Sequence, residues 1–185
     1  MRLSFGFLSV TLGLSVCLFA PATAHAQEDV VRSSTRPMFV TFGVGPSIGL
    51  SYSGTQVKLA QDFGYHFFGD GSGPALGAEI SEAFGHSIFR FQVGPKFWWD
   101  IQPSSSLGLY LAPTAQLGYA HLASSGGASA NAFDMQFGFE ARLVLGDRGM
   151  VYVRPVGIDI LIGGNSYGSD TATIYDLAIG GGVTF

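Results

Sequence analysis

From Ile88 to Ile101 the chain alternates without a break. Phe89, Phe91, Val93, Pro95, Phe97, Trp99 and Ile101 fall on one side, and Ile88, Arg90, Gln92, Gly94, Lys96, Trp98 and Asp100 on the other. Period two is the signature of an extended strand whose faces meet different surroundings. Asn131–Leu145 and Leu107–Tyr119 repeat the pattern, and shorter runs occupy 38–50, 55–68, 75–84, 150–161 and 172–185. No apolar run after residue 26 approaches the ~20 residues that a membrane helix requires. The expectation is an all-β chain: eight strands closed into an antiparallel up-and-down barrel over 38–185.

Alternation alone fits two opposite objects. A soluble barrel packs its apolar face centrally, whereas a membrane barrel turns that face to lipid and keeps the polar face inside. Here the polar face is mostly Gly, Ala, Ser and Thr with scattered charges, which suits a narrow lumen. Only 12% of residues are charged, about half the usual ~25%, and mean hydropathy is +0.33. The apolar face is aromatic and too bulky for an eight-stranded interior. Aromatic residues gather near strand ends, with Phe67, Phe68, Phe97, Trp98, Trp99 and Phe185 toward one rim and Phe84, Tyr119, Phe133 and Tyr175 toward the other. Such girdles mark membrane interfaces. The pattern predicts a transmembrane barrel, with both termini on the periplasmic side because the strand number is even. A net charge of −4 with nine Lys and Arg excludes the clustered basic face of a nucleic-acid binder.

Gly- and Ser-rich stretches separate the runs, the longest being about 121–130 and 162–171. Gly85-His86 reads as a two-residue turn, which would set Glu79 opposite Gln92. Pro46, Pro95, Pro113 and Pro155 each lack a ladder donor and are expected at bulges or near rims. Tyr152 and Arg154 share a parity that Asp159 lacks, so a bulge is predicted near 155–157. Gln61 lands on the lipid side of its strand. Ahead of the barrel, Arg2, an apolar run from Leu3 to Ala20, Pro21 and Ala24-His25-Ala26 form an expected signal peptide over 1–26. Residues 27–37 then read as a flexible periplasmic lead-in. Cys17, the one cysteine, falls inside the leader, and lipidation there is not expected.

The last residues are the most specific. Tyr175, Leu177, Ile179, Val183 and Phe185 alternate up to a terminal aromatic. With the eight runs, this resembles the small outer-membrane β-barrel superfamily of OmpA-type and OmpX-type proteins. Ala178 and Gly181 depart from its usual terminal pattern. The resemblance implies a Gram-negative outer-membrane location, lipid and lipopolysaccharide as surroundings, and recognition of the C-terminal strand by the barrel-assembly machinery. It implies no single function.

By parity, Lys58, Asp62, His66, Glu79, Arg90, Gln92, Lys96, Asp100, Gln116, Asp134, Gln136, Glu140, Arg142, Arg154, Asp159 and Asp176 point inward. Five basic residues face seven carboxylates, so most can pair, and Glu140 is placed to reach Arg142 or Arg154. A self-paired network would plug the lumen, leaving a monomeric barrel with an envelope-integrity or surface-interaction role. A narrow porin-like channel is the first alternative. The second is a lipid A-modifying hydrolase or acyltransferase using His86, Ser87, His121, Ser124, Ser125 and Glu82 at one rim. Neither spacing nor motif sets up that catalysis. No cofactor is expected, and His66, His86 and His121 lack metal-ligand spacing.

Overall fold

The structure is a computed structural model that describes residues 36–51, 54–68, 71–85, 87–104, 107–163 and 171–185. The leader and nearly all of the lead-in lie outside these residues, as does most of the 162–171 connection. Eight strands follow in chain order: β1 Met38–Gly49, β2 Thr55–His66, β3 Gly73–Gly85, β4 Ile88–Ser104, β5 Leu109–Ser124, β6 Ser129–Leu145, β7 Gly149–Ile162 and β8 Thr171–Thr184. Each pairs antiparallel with its chain neighbours, and β1 pairs with β8, which closes the barrel. Closure leaves no free sheet edge, the condition for an extended chain to cross hydrocarbon.

The wall follows the alternation. Along β1, Phe39, Thr41 and Ser47 are buried while Val40, Phe42 and Val44 are exposed. The same inside-outside rhythm runs around all eight strands. Phe67, Phe84, Phe97, Trp99, Tyr119 and Phe133 all face outward, as do Ile179, Val183 and Phe185. Trp98 does not join the girdle. It shares a parity with Lys96 and Asp100, and it is 0% exposed inside the barrel.

Two connections differ from the sequence expectation. β5 and β6 run on through most of 121–130, with Ala123 opposite Ser129, so the turn shrinks to 125–128. Ser124 N donates to Ala128 O at 2.8 Å across this hairpin, and Gly127 takes φ 87°. The small residues there look like loop but alternate like strand, and Leu122 is the inward anchor. Between β3 and β4 the turn is 86–87, not Gly85-His86; Gly85 pairs with Ile88, and Ser87 carries the positive φ of 62°. This moves the register by two, so Glu79 sits opposite Gly94, and Gln92 faces Ser81.

Pro155 lies in a bulge, where the β7–β8 register shifts between Arg154 and Gly157. The extra residue restores Asp159 to the inner face. Tyr175 donates its hydroxyl to the Pro155 carbonyl at 2.6 Å. Pro95 and Pro113 need no bulge, since the flanking pairs keep one register. A proline interrupts hydrogen bonding toward only one neighbour, so the other ladder passes it intact.

Candidate functional site

The inner wall places its polar side chains in one column. Lys58, Asp62, Glu79, Arg90, Gln92, Lys96, Asp100, Gln116, Asp134, Gln136, Glu140, Arg142, Arg154, Asp159 and Asp176 are all buried. They come from β2 through β8, so every strand but β1 contributes charge or amide. β1 supplies hydroxyls. Thr41 donates to Asp62 Oδ2 at 3.1 Å, and Ser47 Oγ accepts from Arg90 Nη2 at 2.7 Å. Parity placed these two inward, but their ordinary chemistry gave no sign of a role.

At mid-height Lys96 Nζ reaches three carboxylates, Glu79 at 2.7 Å, Asp62 at 2.9 Å and Glu140 at 3.0 Å. Arg154 shares them, with Nη2 2.8 Å from Glu140 and 2.9 Å from Glu79. Charges from five strands therefore converge on one point. Each cation touches more than one acid, which repays the large cost of stripping water from buried ions. Arg142 extends the cluster toward the chain termini. It lies 2.7 Å from Glu140 and 3.1 Å from Asp100, and Asp100 in turn meets His66 Nε2 at 2.6 Å.

Toward the opposite end, Lys58 binds Asp176 at 2.6 Å and Asp159 at 3.2 Å. Gln136 and Gln92 donate to Asp159 at 2.6 and 3.2 Å. Asp134 stands apart. It is 0% exposed, and neither carboxylate oxygen has a hydrogen-bond partner among the described residues.

Apolar clusters lie toward both ends of this column, and the sequence expectations do not assemble them. At the terminus end, Phe39, Ala75, Trp98, Ala112 and Met150 cluster. The Arg142 guanidinium lies 4.7 Å from the Phe39 ring centre and 5.4 Å from that of Trp98. Close approach is what lets such rings fit. A Cβ on Gly64 would come 2.2 Å from Phe39 Cζ, and one on Gly43 only 1.9 Å from the Tyr152 hydroxyl oxygen. The pocket bounded by Phe39, His66, Asp100, Tyr110, Arg142 and Met150 holds about 10 Å³, room for about one water molecule. At the hairpin end, Ala120, Leu122, Ala132, Leu161, Ala172 and Ile174 form the second layer. The signal for both layers was available: Leu122, Leu161 and Ile174 have the parity of the charges, not of the lipid face.

Of the rim residues that could serve catalysis, Ser87 and Ser125 meet through the backbone, Ser125 N donating to Ser87 O at 2.9 Å, but His121, Ser124 and Glu82 do not converge. His121 and Ser124 lie on opposite faces of β5. His121 Nδ1 meets Asn131 Oδ1 at 2.8 Å, and Ser124 Oγ accepts from Gly126 N at 3.2 Å. Glu82 is opposite Phe91, which is opposite His121, so a strand separates acid from imidazole. His86 lies outside the described residues. No group of three or more His, Cys, Asp or Glu side chains among the described residues is arranged to hold a metal ion; the three acids that converge do so on Lys96.

No family model matches the sequence, and no curated protein matches it. Solved structures do match the fold. Neisserial surface protein A (NspA) superposes with a TM-score of 0.65 at 8% identity, over 80% of this chain and 96% of that one. The N-terminal β-barrel domain of Pseudomonas aeruginosa OprF gives 0.55 at 12% identity, over 80% of this chain and 97% of that one.

Proposed function

From a chain with the fold of the small eight-stranded outer-membrane barrels, we infer a structural barrel of the Gram-negative outer membrane, closed to ions and serving envelope integrity. The observation that carries this reading is the interior: paired charges fill mid-height, and apolar layers cap them at both ends. With the termini taken as periplasmic, the β2–β3, β4–β5 and β6–β7 strand ends lie on the periplasmic side, and the β1–β2, β3–β4, β5–β6 and β7–β8 strand ends on the outer one. Each outward connection is short, which favours an embedded structural element over a loop-built adhesin. None contains Lys or Arg. Contact with lipopolysaccharide then runs through hydroxyl, amide and ring groups such as Tyr119 and Asn131, without cation–phosphate pairs. NspA is by name a surface protein, which fits the location.

The C-terminal strand, with Tyr175, Leu177, Ile179, Val183 and Phe185 facing outward, serves as the signal to the barrel-assembly machinery. Planar-bilayer recording of the refolded barrel tests closure directly. The expected trace shows no single-channel steps. Regular steps in the unmodified protein would replace this reading with the narrow channel.

A further inference from the structure

We propose that the barrel associates with a second copy of itself through β2, by a reciprocal amide pair at Gln61. The inference rests on the barrel standing in a bilayer. Gln61 faces outward between Phe42 of β1 and Ile80 of β3, which are 48% and 42% exposed. Its carboxamide has no hydrogen-bond partner among the described residues. Along β2 it is the midpoint of the outward row Val57, Leu59, Gln61, Phe63 and Tyr65.

At ~3.3 Å rise per residue and ~40° tilt, either end of β2 is roughly 13–15 Å of depth away. A side chain with two methylenes cannot reach headgroups over that distance. The other outward acid, imidazole and amide groups on the described strands behave differently. Glu82, His121 and Asn131 each lie within three residues of the hairpin end, where water and headgroups are at hand. Gln61 is therefore the outward amide that hydrocarbon leaves unsatisfied, and lipid offers it nothing to bind at that depth.

A second copy offers a match. A carboxamide carries both donor and acceptor, so two of them facing across a twofold axis satisfy each other with two hydrogen bonds. Amides act in this way between membrane segments, where apolar surface alone gives little drive to associate. Phe42, Phe63 and Ile80 surround the amide on each copy and exclude residual water. Ala78, opposite Phe63 on β3, is a small neighbour to that ring. This proposal departs from the monomer expected from the sequence, in which Gln61 lands on the lipid side of its strand.

The test is subunit counting and energy transfer between labelled barrels in phospholipid vesicles. The unmodified protein is expected to form dimers. Gln61→Leu is expected to weaken association about tenfold, and Gln61→Asn to retain part of it. Phe137→Leu, on the opposite wall, is expected to change nothing. Gln61→Leu only makes the lipid face more apolar, so the barrel should still fold and keep heat-modifiable gel mobility. The proposal is overturned if the unmodified barrel stays single at every protein density, if Gln61→Leu associates equally, or if cross-linking in native membranes joins Gln61 to another protein. Loss of heat-modifiability in the unmodified protein, with solubility in plain buffer, would instead sink the membrane reading itself.

Discussion

Mid-height and the hairpin end of the lumen solve burial in opposite ways, the first with side chains of β2, β3, β4, β6 and β7 and the second with side chains of β5 to β8. At mid-height, Asp62, Glu79, Lys96, Glu140 and Arg154 are kept from water by meeting one another. A few residues along, Leu122, Leu161 and Ile174 fill the same bore with hydrocarbon. The apolar layer needs only volume. The charged layer needs every partner present, because a single deletion leaves another charge buried without compensation. The two layers also depend on each other. Apolar caps keep water out of the charge cluster, and water would weaken each pair by raising the local dielectric. Fragility under mutation should therefore differ along the axis, with charge deletions costing more than hydrocarbon deletions of similar size.

Glu140 is the sharpest place to break that contrast. It contacts Lys96, Arg142 and Arg154 at 3.0 Å or less. Glu140→Ala strands three cations that then compete for the remaining carboxylates, and should cost about 3–5 kcal/mol. Urea unfolding of the barrel in vesicles reads this out. A cost under about 1 kcal/mol would mean that water already bathes the cluster. A cycle with Arg154→Ala should show coupling of about 1–3 kcal/mol, because the two share one contact. Next in size is Leu161→Ala in the hairpin-end layer. Leu161 is buried to 1% exposure, and its loss should cost about 2–3 kcal/mol by leaving a cavity. If this substitution costs more than Glu140→Ala, the ordering argued above is reversed.

The same contrast explains what could be read ahead of the structure. The barrel was legible because period two repeats eight times and the ladder converts parity directly into inside or outside. Even the β7 bulge showed, since Asp159 would otherwise have been set in lipid. The partners of the charges were less legible. Parity sends Lys96 inward but does not say which of seven carboxylates it meets, and that choice depends on stagger between strands. The β3–β4 turn shows how little it takes: moving it by one residue exchanged Gln92 for Gly94 opposite Glu79. The apolar caps were missed for a different reason. Trp98 and Ile174 carry the chemistry of the lipid face on the parity of the lumen, and Leu122 falls in a Gly- and Ser-rich stretch that reads as a connection.

Asp134 sharpens the comparison from the other side. It sits on β6 between Gly118 of β5 and Leu161 of β7, at the boundary between the charged column and the hairpin-end cap. Five lumen cations face seven carboxylates, and the other six carboxylates each have an ion-pair contact. Asp134 has neither an ion pair nor a hydrogen bond among the described residues. Removing its charge therefore orphans no cation and relieves an uncompensated burial. Asp134→Asn should leave stability unchanged or raise it by up to about 1 kcal/mol, the opposite sign to Glu140→Ala. Leucine at the same position would extend the cap downward and should act in the same direction. The measurement is the urea midpoint of each variant beside the unmodified barrel. A fall of more than about 1 kcal/mol with asparagine would show that the carboxylate has a partner holding it, and the boundary between the two layers would then lie one turn of side chains nearer the hairpins.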